Sequence, residues 1–340
     1  MASRVKSFIQ YIVLLAITAF LVWFSLRGLQ DVESGKASQS TGEFLLSAWR
    51  DADKGWLMLM AAVAVASHLL RAYRWALLNE PSGFKNKLSH SFYSLMVGYL
   101  VNLAVPRGGE VSRCYNLYKL DKTPVEVSFG TVVTERIIDL ICLILLIAAA
   151  FLVESKKLLA FVKTLPIGQG DEGGKLNIVA YIIGGIVLLC VVGFLVVRSN
   201  KKLRAFFVKT FSGFKKGLLS VFKIREPGLF IAYSILIWMM YFVMSYTVIR
   251  AFPATENLGF EAMMSLFAIG AIAMAVPLPG GTGSYHVLVP QGLTFLYAVP
   301  YADAVAFTFI FHGWQTLIMI VGGALSLLLT AIIVKRRKHP

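Results

Sequence analysis

Residues 92–119 hold an apolar run broken by VPRGGEVSR at 105–113, so Pro106, Arg107, Gly108, Gly109, Glu110 and Arg113 stand where a lipid-facing helix would continue. Ionisable side chains in hydrocarbon cost about 2.5–3.5 kcal/mol each on insertion scales and are expected to face protein or a water-lined cavity. Further on, TERIID at 134–139 heads another long apolar run and carries Glu135, Arg136 and Asp139 to similar depth. Any fold for this chain must shelter that cluster.

The remaining composition points the same way. At 57% hydrophobic residues and a mean hydropathy of +0.72, the chain reads as an all-α polytopic membrane protein, well above the roughly 45–50% apolar share of soluble domains. Its net charge of +15 is gathered in particular connections between apolar runs. That clustering marks cytoplasmic loops and argues against nucleic-acid binding. Cys114, Cys142 and Cys190 show no metal or disulfide spacing, and no cofactor motif is present.

Taken in order, an anchor over 8–26 leads outward to 27–54, where four Lys/Arg meet five Asp/Glu. A span over 55–78 returns inward through Arg71, Arg74, Lys85 and Lys87, read as orientation charges, with His68 as a satisfied packing residue. Residues 88–119 read as a re-entrant hairpin with its broken tip at 106–109. A span over 127–153 emerges at Glu154 into a Gly-rich external loop that runs to Lys175. A span over 176–197 comes next, and nine Lys/Arg without one acidic residue then occupy 198–225. There Leu203, Phe206, Phe207, Phe211, Phe214, Leu218 and Phe222 recur at helical spacing. An interfacial helix lying on an anionic inner leaflet is expected. A span over 228–249, a second hairpin over 261–299 broken by AVPLPGGTGSYH, and a last span over 302–334 complete the chain.

The halves match: 1–175 and 176–340 each read as anchor, span, broken hairpin, span. LAVPRGG at 103–109 is echoed by MAVPLPGG at 274–281. Three crossings per half is an odd number, so the second repeat is inverted and both termini are cytoplasmic. Inverted repeats with broken helices meeting near the midplane are a transporter design. Half-helices starting at Gly108 or Gly280 would turn free N–H groups toward an anion. Arg107, Arg113 and Arg136 would add bidentate contacts to a phosphate. Glu110, Glu135 and Asp139 would balance these arginines or meet a cationic part of a head group. As an ion-pair network, Glu135 and Asp139 would instead pair with Arg107 or Arg113. In the second half, Gly280, Gly281, His286 and His312 are the matching candidates, the histidines as proton carriers or as packing residues.

The runs NLAVPRGGEVSR at 102–113, TERIIDL at 134–140 and PGGTG at 279–283 resemble the membrane region of lysylphosphatidylglycerol synthases and of related stand-alone flippase-like proteins. The resemblance covers nearly the whole chain. It implies a flippase fold with two inverted re-entrant hairpins, moving phospholipid or glycolipid head groups across the cytoplasmic membrane. The residues it implies are Pro106, Arg107, Gly109, Glu110, Arg113, Glu135, Arg136, Asp139 and the second-hairpin glycines. Bifunctional members continue into a soluble aminoacyl-transferase domain, whereas this chain ends at Pro340. It is therefore not expected to make lysyl-lipid itself, nor to be an enzyme. Two other readings compete with lipid translocation. One is an intramembrane lipid-phosphate phosphatase or transferase with Glu110, Ser112 and Arg113 as base, nucleophile and clamp. The other is a non-catalytic scaffold docking through 198–225.

Overall fold

The prolines and glycines that interrupt the apolar runs decide where helices end. In the computed structural model, which describes residues 16–26, 40–164, 201–276 and 278–338, the described residues are helical with short turns. The elements are α1 (Ala16–Leu26), α2 (Thr41–Asp51), α3 (Lys54–Asn79), α4 (Leu88–Ala104), α5 (Gly108–Asp121) and α6 (Val125–Thr164). After residues outside the described set come α7 (Lys201–Leu218), α8 (Pro227–Ala251), α9 (Phe260–Ala275), α10 (Ser284–Tyr297) and α11 (Tyr301–Lys338). The segments around α3, α6, α8 and α11 are long and apolar enough to cross a membrane. The chain is a multi-pass membrane protein. The expected span over 176–197, the loop over 165–175 and the start of the first anchor lie outside the described residues.

Both expected hairpins are helix pairs. Helices α4 and α5 are 17 and 14 residues long, and α9 and α10 are 16 and 14, all short of the roughly twenty a crossing needs. The arms of the first pair touch where Gly98 meets Gly109; a Cβ on Gly109 would strike the Gly98 carbonyl oxygen and the Asn102 side chain. The two tips meet as well, with Leu103 pressed against Gly280. Helix α3 lies along α8, α4 packs on α11, and α9 and α10 pack on α6. The main apolar core gathers where α3, α8, α9, α10 and α11 converge, around Leu57, Met60, Val248, Leu293 and Phe307.

Two readings of the connections need correction. Within 27–54, expected to be plain connection, α2 forms an extra helix. Ser40 caps it: the Glu43 N–H donates to Ser40 Oγ at 3.3 Å and the Ser40 N–H to Glu43 Oε2 at 2.9 Å. The Ser40 backbone N–H bond, and after it the Ser40 hydroxyl, hold the Glu43 carboxyl below its usual range. The span expected to emerge at Glu154 instead continues helical to Thr164 through a kink at that residue (φ −132°, ψ 44°). It continues because Leu158 and Phe161 still have core to fill, while Glu154 is held by Lys157 at 2.7 Å, Ser265 at 2.8 Å and Tyr297.

The basic stretch is helical, as its spacing predicts, but its apolar face is divided. Phe211 and Phe222 are exposed, whereas Phe214 turns inward against Phe129. A glycine seam explains the docking, since at the start of α6 Gly213 of α7 lies against Glu126 and Val127, and Gly217 against Val127 and Gly130. A Cβ on Gly217 would meet the Val127 carbonyl oxygen and one on Gly130 the Phe214 carbonyl oxygen, the close approach that small residues four apart permit. Gly217→Leu is therefore expected to lift α7 from α6, cost about 1–3 kcal/mol, and increase trypsin cleavage at Lys215 and Lys216.

Candidate functional site

The TERIID segment falls on α6, one turn before its most lipid-exposed stretch, and there Glu135 is completely buried. A carboxylate in that position requires partners, and three arginines supply them. Arg71 Nη2 lies 2.5 Å from Glu135 Oε1, Arg113 Nη2 lies 3.1 Å from Glu135 Oε2, and Arg74 Nη2 is 3.5 Å from Oε1. One helical turn on, Asp139 takes Arg74 at 2.6 Å and Arg71 at 3.0 Å. The two carboxylates, four residues apart and so on one face, thus meet the two α3 arginines, three apart and also on one face.

Arg71 and Arg74, read from sequence as orientation charges, are 6% and 0% exposed. They are the network's central cations, and Asp139 pairs with them rather than with Arg107 or Arg113. Further bonds fix them in place: Arg71 Nη1 donates to Tyr241 Oη at 2.8 Å and Arg74 Nη1 to Ser234 Oγ at 3.3 Å. Two arginines three apart near the end of an apolar run, with carboxylates four apart on a later run, were the signal that could have found them. His68 is buried against the Tyr99 ring, and its Nδ1 has no hydrogen-bond partner among the described residues. It is buried as expected but not fully satisfied.

The other arginines, on the first hairpin and on α6, differ in their freedom. Arg113 is 2% exposed and stacks over Trp75 at 4.8 Å. Its Nε and Nη1 have no partner among the described residues. Arg136, with its side chain 42% exposed, is held by Glu110 at 3.2 Å, and Glu110 Oε2 is itself buried with no hydrogen-bond partner among the described residues. Arg107 is exposed, makes no ion pair among the described residues, and adopts a left-handed backbone (φ 61°) that sharpens the turn between α4 and α5. Four guanidinium groups, from Arg71, Arg74, Arg113 and Arg136, therefore face three carboxylates, leaving one positive charge in excess.

Between Arg113 and Arg136 lies a slot walled by Gly98, Tyr99, Asn102, Gly109 and Glu110. It encloses 10 Å³, about the room of one water and too little for a phosphate. The helix-start reading needs revision here. Gly109 N–H donates to Asn102 Oδ1 at 2.7 Å and Gly108 N–H to the Val105 carbonyl at 3.0 Å. Neither is free for an anion, because the tight arm crossing uses both. Ser112 Oγ donates to the Gly109 carbonyl at 3.1 Å, within its own helix.

The second tip is arranged differently. Gly280 and Gly281 form a tight turn with positive φ, and the following helix starts at Ser284, not at Gly280. His312 Nε2 lies 2.9 Å from the Gly280 carbonyl, and His286 Nδ1 accepts from the Gly283 N–H at 3.3 Å. The two rings stand 4.8 Å apart, under α1, whose Ser25 hydroxyl donates to the His286 carbonyl at 2.6 Å. The histidine pair has no hydrogen bond or ion pair to the arginine cluster among the described residues. The candidate residues thus fall into two groups that share only the contact of the tips. No group of three His, Cys, Asp or Glu side chains suited to a metal ion occurs among the described residues.

Comparison with known proteins follows the same segments. A family model described as the lysylphosphatidylglycerol synthase TM region matches residues 11–323. UPF0104 membrane protein MJ1078 of Methanocaldococcus jannaschii is 31% identical over 195 residues, covering 54% of this chain and 74% of that protein. UPF0104 membrane protein MJ1595 of the same organism is 28% identical over 87 residues, 25% of this chain. That match spans about a quarter (26%) of MJ1595's own length. No solved structure matches the chain. With its broken helix pairs, its buried arginine–carboxylate network and a family match that spans most of its length, the chain belongs to the lysylphosphatidylglycerol synthase transmembrane-region family.

Proposed function

We propose that the protein is a flippase-like transporter that moves an anionic phospholipid or glycolipid head group across the cytoplasmic membrane, its tails remaining in lipid. The observation that carries this reading is Arg113: a buried guanidinium with two nitrogens unpartnered among the described residues, beside an exchangeable Arg136–Glu110 pair and within a cluster of excess positive charge. A phosphate oxygen satisfies those donors and neutralises that charge. Arg136 leaves Glu110 to close over the phosphate, and Arg107 at the exposed tip gathers it first. Glu135 and Asp139, already saturated by Arg71 and Arg74, hold the frame and do not touch the lipid.

The architecture proposed around this site is two inverted repeats, 1–175 and 176–340, each of three spans and one re-entrant hairpin, with both termini cytoplasmic. Reciprocal packing supports it. Helix α2, in the connection between anchor and span of the first half, packs on α11, the last span of the second. Helix α7, in the same connection of the second half, packs on α6, the last span of the first. The hairpins exchange in the same sense, α4 onto α11 and α9 onto α6. Capture begins from the face bearing 198–225, since the arginine-bearing hairpin opens there.

The test is head-group translocation in reconstituted vesicles. A fluorescent phosphatidylglycerol analogue is expected to exchange leaflets faster with protein than without, and faster than the matching phosphatidylcholine analogue. Equal rates for the two, or no acceleration, would refute the reading.

A further inference from the structure

A second lipid-facing feature lies on the opposite flank of α6. Ile138 and Cys142 of α6, Val221 and Ile224 after α7, and Phe230 and Ile231 of α8 line a groove of 390 Å³. Its polar wall residue Ser234 is turned inward, donating to the Phe230 carbonyl at 2.9 Å and accepting from Arg74 at 3.3 Å. The groove opens sideways between two membrane-crossing helices, past Ile231 and Ile235, which are more than half exposed. Water gains no hydrogen bonds in such a groove, whereas hydrocarbon fills it without cost.

One end of the groove fixes the chemistry of its occupant. Lys223 and Arg225 alternate with the lining residues Val221, Ile224 and Pro227. Both are exposed, and neither makes an ion pair among the described residues. Phe222, next to Lys223, is 84% exposed, as a side chain buried in the headgroup boundary would be. Lys215 and Lys216 are exposed on the adjoining helix. A slot for one chain, capped by unpaired cations at its interfacial end, is complementary to a lipid with a negatively charged head.

We propose that this groove binds one acyl chain of an anionic phospholipid whose phosphate sits at Lys223 and Arg225, a resident lipid separate from the transported one. The separation is geometric. Arg136 and Ile138 are two residues apart on α6 and point about 200° apart around it. The Arg71 and Arg74 pairs with Asp139 stand between the two sites. The resident lipid reaches the network through shared walls, since Phe230 lies under the Arg74 guanidinium at 6.0 Å and Ser234 is bonded to it. It therefore braces α6 against α8 and does not rest on transport.

The full chain in phosphatidylcholine nanodiscs doped with a tail-diazirine phosphatidylglycerol tests this. Photolysis is expected to label peptides holding 138–142 and 221–235 above other lipid-facing segments. Unlabelled phosphatidylglycerol should compete about tenfold better than phosphatidylcholine, and Lys223→Ala with Arg225→Ala should abolish that preference. Ile231→Trp, at an exposed position the fold tolerates, should fill the groove and remove its label while labelling elsewhere persists. Even labelling along all lipid-facing helices, equal competition by the two lipids, or a preference that survives the double substitution would overturn the proposal.

Discussion

Glu135→Ala is expected to lower stability by about 3–5 kcal/mol, the scale of breaking a buried ion pair from one side, and to be among the most damaging single substitutions in the chain. The side chain is fully buried and answers three guanidinium groups. Without it, Arg71 and Arg74 are left with the part-buried Asp139 alone, and Arg113 loses its one carboxylate partner among the described residues. Glu135→Gln keeps the shape and one of the two accepting oxygens but not the charge, so its loss should be smaller. Arg74→Ala should approach the loss of Glu135→Ala, and the double variant should cost less than the sum, because both changes break one network. Thermal unfolding in detergent micelles reads all four. Unchanged midpoints for Glu135→Ala would show that the network does not hold α3, α5 and α6 together.

Arg136→Ala is expected to do the reverse, leaving stability within about 1 kcal/mol, as for exposed pairs, while reducing head-group translocation. Its side chain is 42% exposed and bound to Glu110 alone at hydrogen-bonding distance, so the fold loses little. A charge-assisted contact to phosphate is worth about 1.5–3 kcal/mol, which corresponds to a fall of about ten- to a hundredfold. Arg113→Lys tests the neighbouring group: lysine keeps the charge but cannot offer the planar fork, and it gives up the stack on Trp75. Translocation should fall by a similar factor with a modest loss of stability. The expected contrast, Glu135→Ala acting on stability and Arg136→Ala on translocation, would separate frame from site.

The broken hairpins were legible because Pro106, Gly108, Gly109 and the PLPGG turn contradict the apolar runs that hold them. TERIID was legible for the same reason. Arg71 and Arg74 were not, since arginines at the end of an apolar run look the same whether they orient the helix or neutralise a buried acid. Only the later carboxylates, 64 and 65 residues away along the chain, tell the two apart. Helix α2 was announced by Ser40 and Glu43, a capping pair three residues apart, and the docking of α7 by Gly213 and Gly217, four apart. In the first connection the charge balance hid the capping pair; in the second the phenylalanine spacing pointed to lipid and drew attention away from the glycines. The helix past Glu154 gave less warning, because KKLLAFVKT is basic enough to pass for a loop until Leu158 and Phe161 are seen in the core. Helix starts at Gly108 and Gly280 looked like anion sites because sequence does not reveal that Asn102 and Val105 take the first donors, or that the second helix begins only at Ser284.

The central claim is that the lipid phosphate is held between Arg113 and Arg136. A structure of the full chain in nanodiscs of anionic phospholipid tests it most directly. The account predicts phosphate density within hydrogen-bonding distance of Arg113 Nη1, with Arg136 released from Glu110 and turned onto the same phosphate. Phosphate density confined to the second tip beside Gly280 and His286, with Arg136 still paired to Glu110, would contradict it.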